Sequence, residues 1–225
     1  MSKPAVLIEN LNRVYGRGET AVTALKNLNL QIGAGQFMAM KGRSGSGKTT
    51  LLNCLGGLDK PTSGKITIHD KVVSEMSEKD VTNWRKNEVG FVFQAFGLLP
   101  SLSAYENIEL MLRITGLGYR ARRDRAMACL EKVGLGPWST HRPFELSGGQ
   151  NQRVAIARAI ANEPQLILAD EATGELDTNT AVEILTLFKE IAKTESVTIL
   201  LATHDHLVDE FVDQVLQLQD GQIVQ

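Results

Sequence analysis

The sequence predicts an α/β protein, and three features point that way. Two uninterrupted apolar runs, "LILA" at 166–169 and "VTILLA" at 197–202, read as strands buried on both faces, the habit of sheets flanked by helices. A strand-like stretch, "QFMAMKG", runs into a glycine-rich turn and then directly into the helical "KTTLLNCLGGL". Further on, from Tyr105 to about Val133, apolar residues recur at three- and four-residue spacing.

The remaining elements follow in order. "AVLIE" at 5–9 and "KNLNLQI" at 26–32 read as strands separated by the turn-rich "YGRGET". "LDKPTSGKITIHD" is a loop with a return strand, and "EVGFVFQ" is another strand. "ENIELMLRI" and "RRDRAMACLEKV" carry the helical periodicity. After the strands "QLILAD" and "VTILLATHD", the chain finishes on "DQVLQLQDGQIVQ", where Asp220-Gly221 signals a hairpin.

Composition narrows the function classes. With 225 residues and 43% hydrophobic content, one domain with a real core is expected. A formal net charge of −2 leaves no basic footprint, so nucleic acid is not expected as a partner. Cys54 and Cys129 sit in apolar helical contexts and read as buried, reduced thiols. No signal peptide is visible, and no apolar run approaches the ~20 residues of a membrane helix. Any service to a membrane is expected to go through another chain.

Residues 42–49 fit G-x-x-x-x-G-K-[ST] between a strand and a helix. There, curled backbone at Gly42, Arg43, Ser44, Gly45, Ser46 and Gly47 turns N–H groups inward, and the helix entrance adds partial positive charge. The stretch is a phosphate cradle that continues through Lys48, Thr49 and Thr50. Lys48 would reach terminal phosphates, and the Thr49 hydroxyl would hold Mg²⁺.

Asp170 and Glu171 end an apolar strand, where open α/β sheets bind ligands. Adjacent strand residues face opposite ways, so the two carboxylates take different tasks. Asp170 is assigned to Mg²⁺ and Glu171 to the general base on an attacking water. At about 4 Å and an effective dielectric of about 20, each carboxylate–phosphate pair repels by about 4 kcal/mol. An acid pair beside a triphosphate therefore implies a cation.

In "ELSGGQNQRVAIARAIANEP", Ser147 and Gln150 make a capping box, and Pro164 is expected to stop the helix after Asn162. The box does not need the two glycines between them, each of which weakens a helix by up to ~1 kcal/mol relative to alanine. They leave the first N–H groups bare, as a second anion site would require. Arg153 and Arg158 read as structural, Asn151 as uninformative, and His69, His141 and His206 show no ligand pattern.

Together these motifs resemble the ATP-binding cassette of ABC transporters over essentially the whole chain. The resemblance rests on the P-loop at 42–49, Gln94 after "VGFVF", "LSGGQ" at 146–150, the acid strand at 165–171, "GELD" at 174–177 and His204 after "ILLAT". It implies a P-loop NTPase core of RecA-like type with a mixed sheet, an N-terminal antiparallel β subdomain, and a helical subdomain at about 96–160. It also implies ATP as substrate and Mg²⁺ as cofactor. Tyr15 would stack on adenine, and Gln94 would contact Mg²⁺ or the lytic water. His204 would hold the γ-phosphate. Ser147, Gly149 and Gln150 would meet the nucleotide of a second cassette, with Asp177 linking the two sites. The implied partners are a second copy and an integral membrane permease, at the cytoplasmic side of the cell membrane. A groove near Gln94, including Leu99 of "AFGLLPSL", would carry the coupling.

Within the family, "FVFQAFGLLPSLSAYENIELMLRITG" and "YGRGETAVTAL" are similar to cassettes of lipoprotein release and macrolide export. That class usually reads Pro-Thr-Gly-Asn-Leu-Asp after the acid pair, where this chain has Ala172-Thr-Gly174-Glu175-Leu-Asp177. A soluble cassette ATPase acting on nucleic acid or ribosomes is the alternative, but it usually carries coiled coils or two cassettes. A P-loop small-molecule kinase leaves "LSGGQ" and His204 unexplained.

Overall fold

A computed structural model describes residues 3–224. Long strands β1 (Pro4–Tyr15) and β2 (Val22–Gly33) precede β3 (Phe37–Lys41), α1 (Lys48–Leu55), β4 (Ser63–Ile68) and β5 (Lys71–Val72). Then come α2 (Glu78–Glu88), β6 (Val89–Val92), and the helices α3 (Ala104–Ile114), α4 (Tyr119–Lys132) and α5 (Gly148–Ile160). The chain continues through β7 (Leu166–Asp170), α6 (Thr178–Glu195), β8 (Thr198–Thr203), β9 (Gln214–Gln219) and β10 (Gln222–Ile223).

Two sheets result. An antiparallel sheet of order β2-β1-β4-β5 forms the N-terminal β subdomain. The central sheet has order β10-β9-β3-β8-β7-β6, parallel throughout except for the β9–β10 hairpin. It is the mixed-sheet P-loop core that the sequence implies.

The central strands bury both faces, as their continuous apolar runs require. Phe37, Ala39, Ile167, Ala169, Ile199 and Leu201 face a core built with α3, α4, α5 and α6. Their neighbours Met38, Met40, Leu166, Leu168, Leu200 and Ala202 face the opposite core, with α1 and the antiparallel sheet. The period of two thus divides one strand between two cores. Cys54 and Cys129 are free and buried, and burial pushes the Cys54 thiol up to about 12. No helix among the described residues is long and apolar enough to cross a membrane.

The structure differs from the sequence reading at four places. Strands β1 and β2 reach Tyr15 and Val22, well beyond the 5–9 and 26–32 segments. Register shifts, with Asn10 and Asn27 at positive φ, interrupt their alternation and hide the continuation. Helix α5 ends at Ile160, before Asn162. Helix α2 buries only Trp84, so its sequence shows no apolar face. Helix α6 did carry a signal: Asp177 caps it, and Ala181, Ile184, Leu185, Phe188, Ile191 and Ala192 are its buried stripe.

Edge strand β6 lies against α5 so closely that a Cβ on Gly90 would stand 2.5 Å from the Ala159 carbonyl oxygen. Gly90→Ala is expected to destabilise the protein by about 1–3 kcal/mol through overpacking. Thermal unfolding without nucleotide should show a fall of several degrees.

Candidate active site

The phosphate cradle is the link from β3 to α1. Gly45 and Gly47 take φ of +80° and +106°, which side chains rarely allow. The first helical bond runs from the Leu51 amide to the Gly47 carbonyl at 2.9 Å. The amides of Lys48, Thr49 and Thr50 precede it and are left for a ligand. Lys48 is buried, its Nζ donating to the carbonyls of Gly42 at 2.7 Å and Arg43 at 3.3 Å. The ammonium is thereby held inside the curl.

A cleft of about 720 Å³ opens over this loop. Arg43, Ser44, Gly45, Gly47, Lys48, Thr49 and Thr50 line it, together with Gln94, Asp170, Glu171 and His204. Gly42 and Ser46 lie behind, in a second hollow shared with Gln217 and Asp220. The far wall is Val22, Thr23 and Ala24 of β2, which the sequence reading missed. Tyr15 does not line the cleft, although its strand partner Val22 does.

The two carboxylates occupy different surroundings. Asp170 Oδ2 accepts the Thr49 hydroxyl at 2.8 Å. Burial raises the Asp170 pKa, and Glu171 adds to the rise against opposition from Thr49 and Lys48. Glu171 sits just past the strand at φ +48°, fixed by its amide donating to Ala202 and its carbonyl accepting from Gly174. A non-glycine residue in that region is a strained feature of the kind that clusters at functional sites. Its carboxylate lies 3.0 and 3.1 Å from His204 Nδ1 and 3.9 Å from Lys48 Nζ. The Glu171 side chain is 17% exposed and that of His204 71%.

The donor set suits Mg²⁺. Thr49, Asp170 and Gln94 offer oxygen ligands, and no group of three His, Cys, Asp or Glu residues capable of caging a metal occurs among the described residues. An ion that keeps several waters and binds substrate phosphates needs only one or two protein oxygens.

The glycine-bearing entrance of α5 lies outside this cleft. Its capping box is complete: the Ser147 hydroxyl accepts from the Gln150 amide at 3.2 Å, and Gln150 Oε1 accepts from the Ser147 amide at 2.9 Å. Gln150 is therefore engaged in the cap, and the amides of Gly148 and Gly149, in the first turn, have no partner within the helix. Asp177 accepts from Thr180 Oγ1 at 2.6 Å and from the Asn179 and Thr180 amides at 3.1 Å, bonds that lower its pKa. None of Ser147, Gly149, Gln150 and Asp177 lines the phosphate cleft.

Several further residues support the site from behind. Asn151 pins the loop before α5, donating to Pro143 and Leu146 carbonyls at 2.9 and 3.3 Å. Arg158 donates to the Phe96 carbonyl at 2.9 Å and to that of Gly97, securing the bend after Gln94. Arg153 binds the Val133 carbonyl and Glu183, so both arginines are structural as expected. An apolar cleft of about 340 Å³ beside Gln94 is formed by Leu58, Phe91, Phe93 and Met111. Leu99 is exposed but is not part of it.

The raised Asp170 pKa has a testable sign. The folded state holds this proton more tightly than the unfolded state, so ionisation opposes folding as pH rises above the normal aspartate value. Asp170→Asn should raise the nucleotide-free melting temperature at neutral pH. The gain should vanish in acid, while Mg²⁺-dependent nucleotide binding is lost.

The ABC transporter family profile matches residues 25–174. MJ0796 of Methanocaldococcus jannaschii, described as an uncharacterized ABC transporter ATP-binding protein, is 43% identical over 222 residues, 97% of this chain and 94% of that protein. The macrolide export ATP-binding/permease protein MacB of Hyphomonas neptunium is 43% identical over 224 residues, and this chain spans 35% of its length. A dimeric post-hydrolysis structure of the MJ0796 cassette with ADP and Pi superposes with TM-score 0.89 at 42% identity, covering 98% of this chain and 97% of that one. The cleft-lining residues, the capped α5 entrance and these likenesses agree, and the chain belongs to the ABC transporter family as one of its ATP-binding cassettes.

Proposed function

We propose that this chain hydrolyses ATP with Mg²⁺, closes on a second copy head to tail around two nucleotides, and thereby drives a separate membrane permease of the export or mechanotransmission type. One observation carries the dimer: a complete phosphate cradle and a second bare helix entrance occur in one chain, yet Ser147 and Gly149 do not line its cleft. Each entrance then needs a cradle from another copy. The dimeric state described for the MJ0796 cassette supports the same reading.

In this mechanism, Lys48 and the α1 amides hold the phosphate tail. When bound at Thr49, Asp170 and Gln94, Mg²⁺ would supply positive charge that offsets the phosphate oxygens. Glu171 takes the proton of the attacking water. His204, beside it, orients that carboxylate and donates to the γ-phosphate. Closure adds the Gly148 and Gly149 amides and removes water, which strengthens every contact in the site. Phosphate loss ends the attraction, and the pair reopens. With no membrane-spanning helix among the described residues, the cassette would sit peripherally at the cytoplasmic face, its Phe91–Phe93 cleft against the permease.

Two outcomes test this. Glu171→Gln should retain ATP binding and accumulate an ATP-dependent dimer by light scattering, with hydrolysis reduced by at least about 100-fold, the usual worth of a general base; unchanged hydrolysis would overturn the assignment. Phe93→Asp should release the chain from washed native membranes more than Leu99→Asp does, without a matching loss of hydrolysis by the purified chain. Equal retention of both would move the contact elsewhere.

A further inference from the structure

We propose that Arg13 and Asp59 are positioning residues that hold Tyr15 ready for the base, a step that rests on reading this chain as an ATP-binding cassette in which Tyr15 meets adenine. Arg13 and Tyr15 are two apart near the end of β1, and their side chains meet. The Arg13 guanidinium carbon lies 4.3 Å from the centre of the Tyr15 ring. Arg13 Nε donates to Asp59 Oδ2 at 2.8 Å, and its terminal nitrogen lies 2.7 Å from Oδ1. The Tyr15 hydroxyl donates to the same Oδ2 at 2.5 Å. One carboxylate thus gathers both residues. The Arg13 and Asp59 side chains are only 22% and 20% exposed, so the ion pair is shielded more than an ordinary surface pair.

This triad has two consequences for a nucleotide. First, the guanidinium covers one face of the ring by a cation–π contact. Tyr15 remains 39% exposed, so a base must stack on the other face. Second, Asp59 lies just beyond α1, its amide donating to the Asn53 carbonyl at 3.1 Å. The platform for the base is thereby tied to the rear of the helix whose front holds the phosphates. Without that tie, Tyr15 would be held only by its pairing with Val22 at the end of β1, next to a turn in which Gly16 and Gly18 take φ of +77° and +60°. A ring fixed beforehand loses little freedom on binding, and the advantage falls on the base alone.

The experiment uses the full chain and calorimetric titration with two probes, Mg-ATP and Mg-tripolyphosphate, the second lacking base and sugar. Arg13→Ala should weaken ATP binding about tenfold, corresponding to about 1.4 kcal/mol, and leave tripolyphosphate affinity unchanged. Arg13→Lys should recover part of the loss, and adding Arg13→Ala to Tyr15→Ala should cost little beyond Tyr15→Ala alone. If Arg13→Ala does not fold, Asp59→Asn, which keeps the side-chain shape, should show the same selective loss. Equal weakening of both probes, or additive losses in the double variant, would overturn the positioning role. If Tyr15→Ala weakens ATP selectively but Arg13→Ala and Asp59→Asn do not, the proposal fails and the adenine-stacking reading stands. If Tyr15→Ala leaves the ratio of the two affinities unchanged, the stacking reading itself fails.

Discussion

The site depends on a close crossing of backbones at Gly47. A Cβ there would lie 2.6 Å from the Ala24 carbonyl oxygen, and the Gly221 Cα is 3.6 Å from the same point. The Gly221 amide donates to Ser46 at 3.0 Å, and the Lys26 amide donates to Gly221 at 2.9 Å. The cradle is therefore wedged between β2 and the tip of the C-terminal hairpin, and only glycine fits the wedge. A loop held from two sides keeps its amides aimed before any anion arrives, which is the condition under which fixed dipoles are most effective. Parallel register supplies the rest. Lys41 lies opposite Thr203, and Asp170 opposite Ala202. The residues that follow these strand ends, at 42, 171 and 204, are carried to one edge of the sheet despite their separation in sequence.

Charge explains why this edge is a catalytic place and not only a binding one. Asp170 is partly buried beside Glu171; loss of solvent raises its pKa first and the neighbouring carboxylate adds to the rise, while Thr49 and the Lys48 ammonium oppose it. A Mg²⁺ ion held by Thr49 and Asp170 would offset that charge. Glu171, turned into the left-handed region, faces His204 instead. The turn of the backbone thus gives two adjacent acids different neighbours, Thr49 for Asp170 and His204 for Glu171.

Much of the core and cleft was legible because glycine patterns and apolar periodicity report local backbone needs. The cradle at 42–49, the acid strand and the Ser147–Gln150 cap are all local in this sense. What escaped was non-local or masked. The bulged continuations of β1 and β2 lack alternation, so the Val22–Ala24 wall was not seen. The Arg13–Asp59 pair joins positions 46 apart, and nothing in either neighbourhood announces the other. Asn151 looked uninformative because its partners are carbonyls, which have no sequence identity.

Arg158 links the two parts of the proposed engine. It projects from α5, whose N-terminus is the Ser147 entrance, and it donates to the carbonyls at 96 and 97 on the bend that follows Gln94. Hydrogen bonds to a charged donor contribute about 1.5–3 kcal/mol each, well above thermal energy, and burial lowers the Arg158 pKa because no carboxylate shares its place. Pulling the bend away would strand a desolvated cation. The bend that follows Gln94 and the helix that carries the Ser147 entrance are thereby held as one packed unit.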